Sequence, residues 1–182
     1  RFNIKKGISA SKLINQISEN EISKIIKEFG EEKKFRTISK SIKKYVKAGM
    51  MNTTFDLKQS ILDVVPTRFA NKSLARVFQA IRIAVNDELS ILKTTLEKTT
   101  SYLKSGGRIV VISYHSLEDR IVKRFILNQS KHCICSKEIP ICHCNQVAYL
   151  KRITKKPIVP SLNEIKFNKK SRSAKMRVAE RI

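Results

Sequence analysis

Apolar positions recur every three or four residues through the first hundred residues, the spacing of amphipathic helices. Ser18 with Glu21, and Thr53 with Asp56, are Ser/Thr-x-x-acid pairs of the kind that begin helices. Gly30 is predicted to end one helix in the left-handed conformation. The pattern predicts helices over 9–14, 18–30, 32–48, 53–65 and 74–103, the last either continuous or divided near Asn86.

The pattern changes at Gly106 and Gly107, which are predicted to close a helix and turn the chain into a strand. These glycines precede the strand, whereas the glycines of a phosphate-binding loop follow it. The continuous apolar run 109–112 is typical of a strand buried on both faces, as in parallel sheets. The next helix is predicted to begin with Ser116 and Asp119 as a capping pair, and short strands are predicted at 149–154 and 174–182.

Polar residues follow the predicted buried strand directly, in the order Ser113, Tyr114, His115 and Ser116. Ligands of open α/β sheets bind at the carboxyl ends of strands, so this position favours a functional site. The alternative is that Ser116 caps the next helix and His115 is an ordinary loop histidine. The sequence leaves both interpretations open.

The net charge of the chain favours a polyanionic partner. The chain has 38 Lys and Arg against 15 Asp and Glu, a net charge of +23. AT-rich coding would raise the content of Glu together with that of Lys, so the scarcity of acids favours RNA or DNA over a merely solvated basic surface. Basic pairs recur near the C-terminal end at 151–152, 155–156 and 169–170, with Tyr149 and Phe167 nearby as candidate stacking surfaces.

Four cysteines form a C-x-C-x6-C-x-C pattern: Cys133, Cys135, Cys142 and Cys144. Alternate residues of a strand point to the same side, so two facing arms could bring four thiolates to one tetrahedral zinc ion. The usual zinc spacing is C-x2-C, and unligated thiols are the alternative. The apolar stretches are far shorter than the roughly 18 residues of a membrane span, and no secretory signal opens the chain, so we expect a cytoplasmic protein that does not bind membranes.

Four separated blocks in a fixed order resemble ribosomal RNA small subunit methyltransferase H, a 16S rRNA cytosine-N4-methyltransferase family. The blocks are FQAIRIAVNDEL (78–89), GGRIVVISYHSLEDRIVKRF (106–125), TKKPIVPS (154–161) and RSAKMRVAER (172–181), and FGEEKKFRTISKSI (29–42) is a looser match. Tyr114 stands where the family usually has phenylalanine. Residues 71–74 also depart from the family pattern.

The resemblance implies an α/β fold: the C-terminal part of a class I S-adenosylmethionine-dependent methyltransferase with a Rossmann-like sheet, preceded by an inserted all-helical domain. It implies a helical substrate-recognition insert over 1–87 and the second half of the α/β domain over 88–182. The family's cofactor-binding elements precede the helical insert, so we expect no cofactor-binding residues in this chain. The chain, which begins at Arg1, is expected to be a C-terminal portion.

The function expected from the resemblance is methylation of the exocyclic amine of a cytosine in the decoding region of 16S rRNA, with the small ribosomal subunit as partner. Ser113 and His115 are predicted to hydrogen-bond the target base or backbone, and Tyr114 to stack on it or shape its pocket. Phosphate contacts are predicted from Arg76, Arg82, Lys151, Arg152, Lys155 and Lys156. The alternative is a non-catalytic basic RNA-binding or ribosome-associated protein derived from a truncated methyltransferase.

Overall fold

The computed structural model describes residues 7–133, 135, 144 and 147–182. The chain divides into two compact units: the first ends at Glu88, and the second is Leu89–Ile182. Each unit has its own cluster of buried apolar side chains.

The described part of the first unit is built from helices and turns. The helices are α1 (Ala10–Gln16), α2 (Glu19–Gly30), α3 (Phe35–Lys47), α4 (Thr54–Leu62) and α5 (Ala70–Asn86), with a 3-10 turn at Thr67–Phe69. Their apolar faces meet in one core, which includes Ile22, Ile26, Ile38, Ile42, Ile61 and Val77. The spacing of these residues every three or four positions is what buries them together.

Both predicted capping pairs of this unit are confirmed. The Ser18 hydroxyl accepts a hydrogen bond from the Glu21 N–H, and the Glu21 carboxylate accepts one from the Ser18 N–H at 2.7 Å. Thr53 and Asp56 make the same reciprocal contacts at the start of α4. A cap of this kind stabilises a helix start by about 1 kcal/mol.

The prediction for Gly30 is wrong. Gly30 is the last helical residue of α2, and Glu31 adopts the left-handed conformation with φ of 49°. A Cβ added at Gly30 would lie 2.8 Å from the backbone carbonyl oxygen of Arg76. The glycine is therefore required by the close approach of α5 and not by a turn.

Several helix boundaries also differ from the prediction. Helix α3 begins at Phe35 and not at residue 32, because the Glu32 carboxylate accepts a hydrogen bond from the Lys34 N–H and forms a turn there. Helix α4 ends at Leu62 and not at residue 65, and a turn follows in which Val64 N–H donates to the Ile61 carbonyl. Of the two alternatives left open for the long helix, the structure shows the division near Asn86, since Asp87 adopts φ of 48° after α5.

The second unit combines helices with a small sheet. Its elements are α6 (Glu88–Tyr102, whose first residue belongs to the first unit), β1 (Arg108–Ser113), α7 (Ser116–Gln129), β2 (Leu150–Arg152), α8 (Leu162–Phe167), a 3-10 turn (Lys169–Ser173) and β3 (Lys175–Arg181). The strand order is β1-β3-β2, with both pairings antiparallel. Within the described ranges, no helix has the length and apolar character that spanning a bilayer requires.

Strand β1 does not have two buried faces, so that prediction is wrong for the described residues. Ile109 and Ser113 are buried, whereas Val110 and Ile112 are 55% and 54% exposed. Among the described strands, β1 pairs only with β3, and antiparallel. An antiparallel sheet can be covered on one face alone, and contacts from α7 and the core around Val122 cover that face here.

The start of α7 also differs from the prediction. The N-cap is His115, whose side chain accepts a hydrogen bond from the Glu118 N–H, and Ser116 is the first helical residue. Asp119 is not part of a capping pair, because its carboxylate faces β3 and is bound there by Arg177. These two residues are 58 positions apart, so no local pattern could show the contact.

The ion pair between Arg177 and Asp119 joins β3 to α7. Arg177 Nε donates to Asp119 Oδ1 at 2.6 Å, and the guanidinium also reaches Oδ2 at 3.2 Å. Lys175 Nζ lies 3.7 Å from the same carboxylate. The side chains of Arg177 and Asp119 are only 8% and 13% exposed. The hydrogen bond from Arg177 lowers the pKa of Asp119, burial opposes that shift, and the charges of Arg177 and Lys175 add to it.

We predict that Asp119→Asn lowers the free energy of unfolding by about 3 kcal/mol at neutral pH, because it leaves the Arg177 guanidinium buried without its counter-charge. The folded-state pKa of Asp119 lies below the unfolded value, so its contribution is complete above the unfolded pKa and is lost as pH falls through the folded pKa. Urea unfolding of the wild type and the variant at several acidic pH values measures this. A difference in stability that does not shrink on acidification would contradict the assignment.

Candidate nucleic-acid interface

The turn after β1 carries three of the predicted site residues. Ser113 ends the strand and is buried, Tyr114 is 57% exposed, and the His115 side chain is only 9% exposed. His115 Nδ1 accepts from the Glu118 N–H at 3.4 Å, which directs the ring toward the first turn of α7. Tyr114 is therefore the side chain of this turn most open to a ligand.

Glu118 holds this turn in place. Its Oε2 accepts a hydrogen bond from the Tyr114 N–H at 2.9 Å, and its Oε1 lies 3.4 Å from His115 Nε2. Burial raises the pKa of Glu118, but contact with the His115 ring and the hydrogen bond from Tyr114 outweigh burial, so the pKa lies below its ordinary value. An ionised Glu118 thus fixes the backbone of Tyr114 while His115 caps the helix. Sequence reasoning did not identify this residue.

A basic surface lies where the C-terminal half of α7, β2 and the segment after β2 meet. We call it the basic groove and define it by Lys123, Lys131, Lys151, Arg152 and Lys155. Two adjoining concavities share Leu127, Arg152 and Lys155 in their linings, and the larger has a volume of about 390 Å³. Neither lining includes an aspartate or a glutamate. Arg177 lines the smaller concavity, so the buried ion pair lies at the base of the groove.

The structure brings three of the predicted phosphate-binding residues, Lys151, Arg152 and Lys155, into this groove, and Lys156 is exposed next to them. Sequence reasoning missed Lys123 and Lys131. Lys123 is an exposed residue of α7, and the signal that could have identified it is the clustering of cations on that helix. Side chains of one sign at this density attract phosphate.

The two arginines predicted in the first unit have carboxylate partners. Arg82 makes two hydrogen bonds to Glu88, at 2.9 and 3.0 Å, and these reduce its attraction for phosphate. Arg76 Nη1 lies 3.5 Å from Glu32 Oε2, and its side chain is 31% exposed. The buried carboxylate of Glu32 therefore orients Arg76, and part of the Arg76 side chain remains accessible to solvent.

Arg76 lines a pocket of about 340 Å³ within the first unit. The lining contains four cations, one carboxylate and an aromatic ring: Lys33, Lys34, Lys72, Arg76, Glu32 and Phe69, together with Ser73. Phe69 is 44% exposed, and the Arg68 guanidinium lies 4.7 Å from its ring centroid. Basic side chains around an exposed aromatic ring are typical of surfaces that bind single-stranded nucleic acid.

Aromatic side chains are also exposed in the second unit. Phe167 is 94% exposed, and Tyr149 is 47% exposed with the Arg181 guanidinium 4.6 Å from its ring centroid. Tyr149 immediately precedes β2, whose Lys151 and Arg152 line the basic groove. A base stacked on Tyr149 would thus lie near the two cations that were predicted to contact phosphate.

Three of the four predicted zinc ligands are described, and they lie together. The Sγ atoms of Cys133, Cys135 and Cys144 are within 4.8 Å of one another. Cys142 lies outside the described residues.

Comparison with known proteins gives the family. The model of the MraW methylase family matches residues 1–182, the full length of the chain. The chain belongs to the MraW methylase family. The structure has the mixture of helices and a small antiparallel sheet described above, which agrees with an α/β methylase.

Curated relatives of the chain carry the name ribosomal RNA small subunit methyltransferase H. The protein of Caldicellulosiruptor saccharolyticus is 49% identical over 176 residues, covering 96% of this chain and 57% of the relative. The proteins of Caldicellulosiruptor bescii and Halothermothrix orenii are 45% and 42% identical, each covering all of this chain and 60% of the relative. This MraW methylase chain therefore spans about three fifths of the length of these relatives.

Glycine-rich turns between a strand and a helix bind the phosphates of dinucleotide cofactors, and the turn between β1 and α7 is not of this type. All five glycines of the chain lie before the end of β1, so none forms a glycine-rich turn between β1 and α7. The carboxylate at that turn, Glu118, already accepts the Tyr114 N–H and contacts His115. The Tyr114 ring is 57% exposed and is the side chain of this turn that a ligand could contact.

We predict that the double variant Lys151→Gln, Lys155→Gln weakens RNA binding and lowers its salt dependence. On single-stranded RNA, the slope of log affinity against log salt should fall by about 0.7 for each phosphate that is no longer neutralised, or about 1.4 for the pair. The matched control is Lys98→Gln, Lys104→Gln, which removes equal charge from exposed positions outside the groove. Fluorescence titration at several salt concentrations measures both. Equal slopes for the two double variants would contradict a specific groove.

Proposed function

We propose that this chain is part of an S-adenosylmethionine-dependent methyltransferase that modifies the exocyclic amine of a cytosine in the decoding region of 16S rRNA. The observation that carries the proposal is the 49% identity over 96% of the chain to a protein named ribosomal RNA small subunit methyltransferase H. Its site of action would be the cytoplasm, on the RNA of the small ribosomal subunit.

In this proposal the second unit is the second half of a Rossmann-like catalytic domain, and the first unit is a helical insert that recognises substrate. The basic groove supports the assignment, because five exposed cations lie together there and the lining includes no aspartate or glutamate. Phosphate contacts of this kind position an RNA strand without selecting its sequence. Selection of the base must then come from the turn after β1 and from the aromatic surfaces.

The turn after β1 is proposed to receive the target base. A cytosine inside a helix cannot reach an enzyme's pocket, so the base must be splayed out, and an exposed aromatic side chain such as Tyr114 can stack on it. Ser113 and His115 are proposed to hydrogen-bond the base or its backbone. The support for His115 is that its buried Nε2 makes no hydrogen bond to any described residue, although it lies 3.4 Å from Glu118 Oε1.

The chain's own contribution to the reaction is therefore binding and orientation. An amine conjugated with a ring is a weak nucleophile, so holding it in line with the methyl donor is the main requirement. The basic groove would hold the RNA strand, and Tyr114 would orient the ring of the target cytosine. Glu118 would keep Tyr114 and His115 in position relative to each other.

The proposal is tested by deleting the gene that encodes this chain and mapping methylation of 16S rRNA by mass spectrometry. We expect one cytosine of the decoding region to lose a methyl group on its exocyclic amine, and complementation with the intact gene to restore it. Unchanged methylation of every decoding-region cytosine would overturn the proposal.

Complementation with His115 variants then separates helix capping from substrate contact. Asparagine is a good N-cap and alanine is a poor one, so His115→Asn should keep the melting temperature whereas His115→Ala should lose about 1 kcal/mol of stability. If the imidazole contacts the substrate, both variants should lower the methylation rate about 5- to 150-fold, the equivalent of one missing hydrogen bond. Wild-type methylation by His115→Asn would show that His115 acts only as a cap.

A further inference from the structure

The segment between α7 and β2 has three thiols at one place, and nothing in the proposed methyl transfer uses them. The Sγ atoms of Cys133 and Cys144 are 3.8 Å apart, although the residues are 11 positions apart in the chain. Cys135 Sγ lies within 4.8 Å of both of these sulfur atoms. Cys135 and Cys144 are partly buried, and Cys133 is exposed.

We propose that Cys133, Cys135 and Cys144 bind a structural zinc ion. In a tetrahedral thiolate site with Zn–S bonds of about 2.3 Å, two ligand sulfurs are separated by about 3.8 Å, the edge of the tetrahedron. The separation of Cys133 and Cys144 has this value. It is far longer than the roughly 2.05 Å of a disulfide bond, so the two residues are not joined covalently.

The three residues are also the right chemical class for this metal. Sets of three or four thiolates in tetrahedral arrangement are typical of structural zinc, and iron–sulfur clusters are the other common occupant. Binding replaces the protons of the thiols with one cation, which releases those protons to solvent and changes no oxidation state. The site needs no oxidant and no other reactant.

A zinc ion bound by these three cysteines would lie next to the basic groove. His132, adjacent to Cys133, lines the groove together with Lys131 and Lys151. The chain also returns to α7 after the segment, because the Tyr149 N–H donates to the Gln129 carbonyl at 2.8 Å. A metal ion that ties residue 133 to residue 144 would thus restrict the segment that carries Lys131 and leads to Tyr149. This inference does not depend on the proposed methyltransferase activity.

The test is metal analysis of the full chain, produced without a polyhistidine tag in zinc-containing medium and purified under reducing conditions. We expect about one zinc ion per chain by mass spectrometry of the metals. Cys133→Ser, Cys135→Ser and Cys144→Ser should each reduce the zinc content to background. Met50→Ser is the matched control, since it removes an exposed sulfur-containing side chain from the first unit and should leave the zinc content unchanged.

Cobalt(II) substitution keeps the proposal testable if a serine variant fails to fold. In the wild-type chain, cobalt should give the intense near-ultraviolet charge-transfer absorption of thiolate ligands and the visible bands of a tetrahedral ion. The assignment would be overturned by a wild-type chain that lacks these bands, has only background zinc, or contains stoichiometric iron in place of zinc. It would also be overturned if all three serine variants retained zinc.

Discussion

The buried ion pair between Arg177 and Asp119 connects the last strand of the sheet to the helix that follows the first strand. Both side chains are almost fully removed from water, and the contact spans 58 residues. Because β3 is the central strand of the order β1-β3-β2, a contact that fixes β3 against α7 also fixes where β1 and β2 lie relative to that helix. The turn after β1 and the basic groove beside β2 are thus positioned by the same pair.

The ion pair also explains how a strongly basic unit keeps a defined groove. Arg177 would add one more charge to a surface already formed by Lys123, Arg152 and Lys155, and Asp119 neutralises it from the buried side. The other cations extend into solvent, where water reduces their mutual repulsion. Asp119 therefore supplies a counter-charge at the point where repulsion would be strongest, and the accessible cations remain available to an anionic partner.

Much of the fold followed from local patterns, because helix starts and helix periodicity are local. The capping pairs at Ser18 and Thr53 were confirmed, as were the short strands near 150 and 180. For the long helix, the pattern left two alternatives open, and the structure shows the divided one. The prediction for Gly30 failed because its constraint is the carbonyl of Arg76, far along the chain, and the sequence shows a glycine without showing what approaches it.

The errors around the candidate site have the same origin. An apolar run such as 109–112 is typical of a strand buried on both faces, but burial depends on which strands pair with it, and β3 pairs antiparallel. Ser116 and Asp119 have the spacing of a capping pair, yet Asp119 is bound by Arg177 and His115 takes the cap. The groove was found only in part, because Lys123 and Lys131 are brought to Lys151 and Lys155 by the packing of α7 against β2.

The central claim is that RNA lies along the basic groove of the second unit. Chemical acetylation of lysines, measured residue by residue with mass spectrometry in the presence and absence of a decoding-region RNA, tests it most directly. We predict that RNA protects Lys123, Lys151 and Lys155 while the exposed Lys98 and Lys104 are modified at unchanged rates. Protection of Lys98 and Lys104 equal to that of the groove lysines, or no protection of the groove, would contradict it.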